Sequence, residues 1–165
     1  MATLCEDIRE YSRLLKEGGI QRAYRGIMSS MSGLRDELAS RHPEHSAGSL
    51  YQGYMDMTYF SFTPRSLAER RLKIAVVYLH GENRLEAWLA GGNRKVQADY
   101  IRLLEGCELG GYKLSKASPG VDSIVEAVIL EDPCFDDMEG FIKSSEAGIM
   151  RFSAEIAGIL REALR

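Results

Sequence analysis

The sequence predicts an α+β fold: a central, mostly antiparallel sheet of about four strands packed with an N-terminal helix pair, one middle helix and a long C-terminal helix, all in a single domain over residues 1–165. Three observations predict it. Apolar residues recur at spacings of three and four through the first two helical stretches and again from Phe141 onward, the period of a helix that buries one face. β-Branched and aromatic residues gather between residues 50 and 90 in runs with the alternation of strands. Gly81-Glu82-Asn83 joins two of those runs by a turn short enough to make an antiparallel hairpin.

The elements follow in order. Thr3 with Glu6 has capping-box spacing, so a helix starts there, presents Leu4, Ile8, Tyr11 and Leu15 on one face, and stops at Gly18-Gly19. A second helix carries Ile20, Tyr24, Ile27, Met31, Leu34 and Leu38 and ends near His42-Pro43; Gly26 and Gly33 mark close packing against a neighbour. The loop after it holds His42 and His45, three apart, and the plain reading is a pair of solvated loop histidines. Residues 50–62 read as one long strand with Tyr54, Asp56, Thr58, Phe60 and Phe62 on one face and Tyr51, Met55, Met57 and Tyr59 on the other.

Thr63-Pro64-Arg65-Ser66 breaks that strand ahead of a short helical connection, and residues 72–80 and 84–90 form the hairpin. In its second strand Leu85, Ala87 and Leu89 face one side while Arg84, Glu86 and Trp88 face the other. His80 sits beside the turn, where a solvent-facing imidazole is the plain expectation. A middle helix opens after Gly91-Gly92 with Asn93 as its cap; residues 121–130 supply a fourth strand; Asp136 with Glu139 opens the last helix, which Gly148 is placed to kink.

Composition bounds the function. A chain of 165 residues that is 45% hydrophobic and 27% charged is long enough to bury a core. A formal net charge of −3, with both signs interspersed, provides no field for nucleic acid or an anionic membrane. Cys5, Cys107 and Cys134 are widely spaced, with no C-x-x-C pair, and read as free thiols in a reducing compartment. The first ten residues carry charges where a secretory leader needs an apolar core, and the longest apolar run, 74–79, is far too short to span a bilayer. The expected location is cytoplasmic. No P-loop, dinucleotide fingerprint, H-E-x-x-H or G-x-S-x-G is present.

Two stretches carry candidate chemistry. Asp56 lies among aromatic residues, where a carboxylate needs a partner; Arg65, Arg70, Arg71 and Lys73 offer structural ones, and a ligand offers a functional one. Asn93-Arg94-Lys95 opens a helix whose free amides attract anions. The two basic side chains in its first turn oppose the helix dipole, a misfit that a bound phosphate or carboxylate relieves and that solvent also screens.

The runs SLYQGYMDMTYFSFTP and LKIAVVYLHGENRLEAWLAGGNRKVQADY resemble those of a family of small prokaryotic proteins known as conserved hypotheticals, a domain of unknown function. That resemblance covers most of the chain and implies no activity. The order α-β-β-β-α-β is similar to that of restriction-endonuclease-like nucleases, which bind Mg²⁺ through an acidic residue on the second core strand and a D/E-x-K on the third. Here Glu86-Ala87-Trp88 has tryptophan where lysine belongs and the second strand has no Asp, so this likeness implies a degenerate, non-cleaving relative.

Two functional expectations result. The first is a non-enzymatic binding module with no cofactor and no metal, in which Tyr54, Asp56, Glu86, Trp88, Asn93, Arg94 and Lys95 line a pocket for a small anionic or polar ligand. The alternative is a metal-dependent hydrolase, degenerate or active, using Asp56 and Glu86. A homo-oligomer is compatible with either.

Overall fold

The structure, a computed structural model, describes residues 1–165. Helix α1 (Leu4–Glu17) begins as its cap spacing requires: the Glu6 amide donates to Thr3 Oγ1 and the Glu6 carboxylate accepts from the Thr3 amide at 2.6 Å. Gly18 then takes φ 81°, a left-handed conformation that closes α1, and α2 (Gly19–Arg41) follows directly. Downstream come β1 (His45–Ala47), β2 (Met57–Pro64), α3 (Arg65–Ala68), β3 (Leu72–Leu79), β4 (Arg84–Gly91), α4 (Arg94–Leu104), β5 (Lys113–Leu114), β6 (Ser123–Glu131) and α5 (Met138–Ala163). No helix is long and apolar enough to cross a membrane.

The strands form one antiparallel sheet in the order β1-β2-β3-β4-β6-β5. The expected α+β architecture is present, with six strands rather than about four. The two extra strands, β1 and β5, have three and two residues, too few to show an alternation. The first expected strand is also shorter than its sequence pattern: residues 50–56 form a loop in which Gly53 and Met55 have φ of 75° and 65°, which no strand accommodates.

Alternation along β3 decides where the core sits. Leu72 and Ile74 pack with Leu89 and Val125 of the sheet, Ile101 and Leu104 of α4, and Phe152, Ile156 and Leu160 of α5. Val76 and Tyr78 pack with Phe60 and Phe62, with Met31, Leu34 and Leu38 of α2, and with Phe141 and Ile149 of α5. All four β3 residues share one face, so the helices lie on that face alone. The opposite face carries Lys73, Ala75 and Val77; no helix is laid across it, and Ala75 and Val77, 6% and 1% exposed, are covered by side chains of the neighbouring strands and the first turn of α4.

Several local expectations change. His42 and His45 are not solvated: the His45 ring is 8% exposed and stacks on Phe62 at 4.5 Å between centroids, and His42 meets the same ring edge-on at 6.0 Å. His80 is likewise half-buried, beneath Tyr24 of α2 and against Tyr78. The last helix is capped by Asp137, which accepts the Gly140 amide at 3.0 Å, one residue later than the Asp136 spacing suggested. α5 runs through Gly148, where a β-carbon would meet Ile129 Cγ2 at 2.8 Å, so the glycine serves close approach of helix to sheet.

Candidate binding cleft on the open sheet face

The bare face of the sheet is hollowed by a cleft of about 300 Å³. Its shape follows from side-chain size across the register. Ala75 pairs with Ser61 on one side and Trp88 on the other; Val77 pairs with Tyr59 and Glu86; Lys73 pairs with Ala90. The short side chains Ala75, Val77 and Ala90 make a low floor, while Tyr59 and Met57 on β2 and Trp88 on β4 stand as walls. At one end the floor runs into Gly91, Gly92, Asn93, Arg94 and Gln97, where β4 turns into α4, with Asp122 opposite.

That end is built tightly. A β-carbon at Gly91 would lie 2.7 Å from the Gln97 backbone nitrogen, so glycine is what lets the first turn of α4 close over the strand end. Asn93 caps the helix, its side chain accepting the Val96 amide at 2.9 Å. The Arg94 and Lys95 amides of that first turn have no helical acceptor. Gln97, 3% exposed, donates to the Val121 and Ser123 carbonyls at 2.8 and 3.0 Å.

Arg94 and Lys95 have separate roles. The Arg94 guanidinium donates to the Val121 carbonyl and to Gln97 Oε1 and pairs with Asp122 at 3.4 Å, so it pins the 121–122 segment at the cleft rim. Lys95 points elsewhere: it is 84% exposed and pairs with Asp99 one turn on at 2.7 Å. The cation left without an ion pair in the lining is Lys73, whose sequence position suggests only a partner for Asp56.

Glu86 faces the same side as Trp88, as its strand parity requires, but lies beneath the surface. Its side chain is 4% exposed; one oxygen accepts from Arg84 Nε at 2.7 Å and the other from the Trp88 indole N–H at 2.8 Å. The bond from Arg84 to this carboxylate raises the Arg84 pKa further above its usual range. Glu86 therefore braces the tryptophan wall and leaves no oxygen directed into the cleft.

Tyr54 and Asp56 lie outside the cleft. Both sit on the 50–56 loop, Tyr54 at 88% exposure, and strand alternation does not reach them. Asp56 pairs with none of Arg65, Arg70, Arg71 or Lys73. Its carboxylate accepts the Tyr54 amide at 2.9 Å, and this bond with the backbone amides beside it holds its pKa below the ordinary aspartate value. Asp56 and Glu86 are thus each engaged by local partners, and no three His, Cys, Asp or Glu side chains gather into a set able to hold a metal ion.

Of the seven candidates, the cleft gathers Trp88, Asn93 and Arg94, with Glu86 directly behind Trp88. Tyr59, Met57, Lys73, Ala75 and Val77 complete it. The signal that identifies them is parity: Phe60 and Phe62 are the bulkier pair of β2 and take the core, which sends Tyr59 rather than Tyr54 toward Trp88.

Residues 4–160 match a family described as a domain of unknown function, DUF7000. The chain belongs to this family. The match runs from α1 into α5, so both the helix pair and the open sheet face lie within the DUF7000 domain. No curated protein and no solved structure matches the chain.

Proposed function

We propose that this DUF7000 protein is a non-enzymatic binding module whose open sheet face takes a small anion with a flat, apolar or aromatic body. The observation that carries this reading is the cleft itself: a low Ala75 and Val77 floor between Tyr59 and Trp88, with the unpaired Lys73 and the first turn of α4 at its end. Its volume of about 300 Å³ falls at the small end of ligand sites, which combine apolar walls with a few polar groups.

Strand spacing sets the shape of the ligand. β2 and β4 are separated by β3, so their axes lie roughly 10 Å apart. Tyr59, its ring against that of Tyr51, and Trp88 stand diagonally on the two strands that flank β3, a spacing that suits one planar group over Ala75 at the separation aromatic rings prefer. Lys73 supplies positive charge, and the open amides of Arg94 and Lys95 add the partial charge of a helix N-terminus. The buried carboxylate of Glu86, with both oxygens occupied, leaves the neighbouring strand position without a group for acid or base chemistry.

The test is a thermal-shift panel of nucleoside monophosphates, aryl carboxylates and inorganic phosphate. The proposal expects saturable stabilisation by a planar anion, little by phosphate alone, and loss of the shift in Lys73→Glu. A panel that stabilises wild type and Lys73→Glu equally, or neither, overturns it.

A further inference from the structure

The cleft that suits an anion also holds a carboxylate. Asp122 stands at the rim opposite the first turn of α4, its side chain 78% exposed. The 121–123 segment does not need that charge to keep its place, because its backbone carbonyls are what α4 grips. The Val121 carbonyl accepts from both Arg94 Nη1 and Gln97 Nε2, and the Ser123 carbonyl accepts from Gln97 Nε2 at 3.0 Å. The Asp122 carboxylate adds an ion pair to Arg94 Nη2 at 3.4 Å, longer than a charge-assisted hydrogen bond and open to solvent, where such a pair adds little stability.

Arg94 is accordingly divided in two. Its Nη1 is committed to Val121 and to Gln97 Oε1, while its Nη2 meets only Asp122. Lys73 stands at the same end of the cleft, across from Ala90 in the strand register and beside the Gly91 turn, and has no ion pair.

We propose that Asp122 is a built-in competitor, holding on Arg94 the place that the ligand's anionic group takes, and that this group is a phosphate monoester on a planar body. The inference rests on the binding of a planar anion in this cleft proposed above. An anion that displaces Asp122 meets two cations from two different elements, Arg94 of α4 and Lys73 of β3. A phosphate monoester brings about two negative charges near pH 8 and three free oxygens, enough to take both. A carboxylate brings a single charge; it satisfies Lys73 and leaves Asp122 on Arg94. Asp122 therefore sets the selectivity of the cleft, because only the more highly charged group repays its displacement.

The experiment titrates Trp88 emission of the full chain with phenyl phosphate and with benzoate near pH 8, in wild type, Asp122→Asn and Asp99→Asn. Asp122→Asn keeps the size of the side chain and removes its charge. Asp99→Asn makes the same change further along α4, outside the cleft lining, and controls for net charge. Wild type is expected to bind phenyl phosphate more tightly than benzoate. Asp122→Asn is expected to bind phenyl phosphate about fivefold more tightly than wild type, the effect of removing one like charge roughly 4 Å away at a solvated site. Asp99→Asn is expected to match wild type, and the urea midpoint of Asp122→Asn to stay at the wild-type value. Four results overturn the competitor and leave binding at the cleft standing: no gain in Asp122→Asn, an equal gain in Asp99→Asn, a wild type that prefers benzoate, or a large loss of stability in Asp122→Asn. Emission unmoved by either anion in both wild type and Asp122→Asn overturns binding at the cleft itself.

Discussion

Trp88 donates its indole N–H to Glu86, 2.8 Å away, while the other Glu86 oxygen takes Arg84 Nε at 2.7 Å. One carboxylate thus fixes the only tryptophan of the chain and an arginine on the same strand face. The orientation of the cleft wall depends on a residue that does not line the cleft.

Truncating Glu86 is therefore costly. Glu86→Ala leaves the indole N–H and the Arg84 fork without their acceptor, and the expected loss is about 2 kcal/mol by urea unfolding, below the range for fully buried pairs because Arg84 keeps 30% exposure. Replacing both ends together, as in Arg84→Met with Glu86→Leu, is expected to cost much less. Equal losses in the single and double variants contradict this role.

Acid is expected to weaken the fold in two windows. Burial holds the His80 and His45 imidazoles below their ordinary value of 6.5, so the unfolded chain takes protons first, and stability declines as pH falls below 6.5. Asp56 acts lower: its amide bonds depress its pKa below 3.8, so its contribution is complete above 3.8 and is lost as pH falls through the depressed value. Urea midpoints between pH 8 and 5 are expected to fall with acid, and to fall less in His80→Gln. Thr58 fixes the His80 tautomer: its hydroxyl donates to the Gln52 carbonyl at 2.8 Å, so His80 Nε2 carries the proton in their 2.8 Å contact and donates it. A midpoint that rises toward pH 5 contradicts the assignment.

Helix-to-sheet spacing is tested at Gly148. In an exposed helix Gly→Ala stabilises by about 1 kcal/mol. Here the new methyl meets the branched Ile129 at 2.8 Å, and overpacking of that kind costs about 1–3 kcal/mol. Gly148→Ala is expected to destabilise wild type and to be neutral or stabilising in an Ile129→Ala background, a coupling that a double-mutant cycle reads directly. Additive effects contradict the contact.

How much of this was legible in the sequence follows from pattern length. The capping box of α1, the β3–β4 hairpin and the faces of β4 rest on local spacing, and the structure keeps them. β1 and β5 are held by their neighbours rather than by their own two or three residues. The 50–56 loop reads as strand because Tyr54 and Asp56 continue the alternation of Thr58, Phe60 and Phe62, and only the positive φ at Gly53 and Met55 breaks it. A strand through that stretch places Tyr54 in the site and leaves Tyr59 out of it. His42 and His45 were misplaced for another reason: the rings pack on Phe62, a contact made across β1 and β2.

The central claim is that the open sheet face binds a planar anion between Tyr59 and Trp88, and Trp88 is the only tryptophan of the chain. Its emission therefore reports the cleft without a label. The decisive measurement is a titration of that emission with nucleoside monophosphates and aryl carboxylates in wild type and in Ala75→Leu, which fills the floor between the two rings. Saturable quenching in wild type that disappears in a folded Ala75→Leu variant is the predicted result. Quenching that is unchanged by the filled floor, or absent from wild type across the panel, contradicts it.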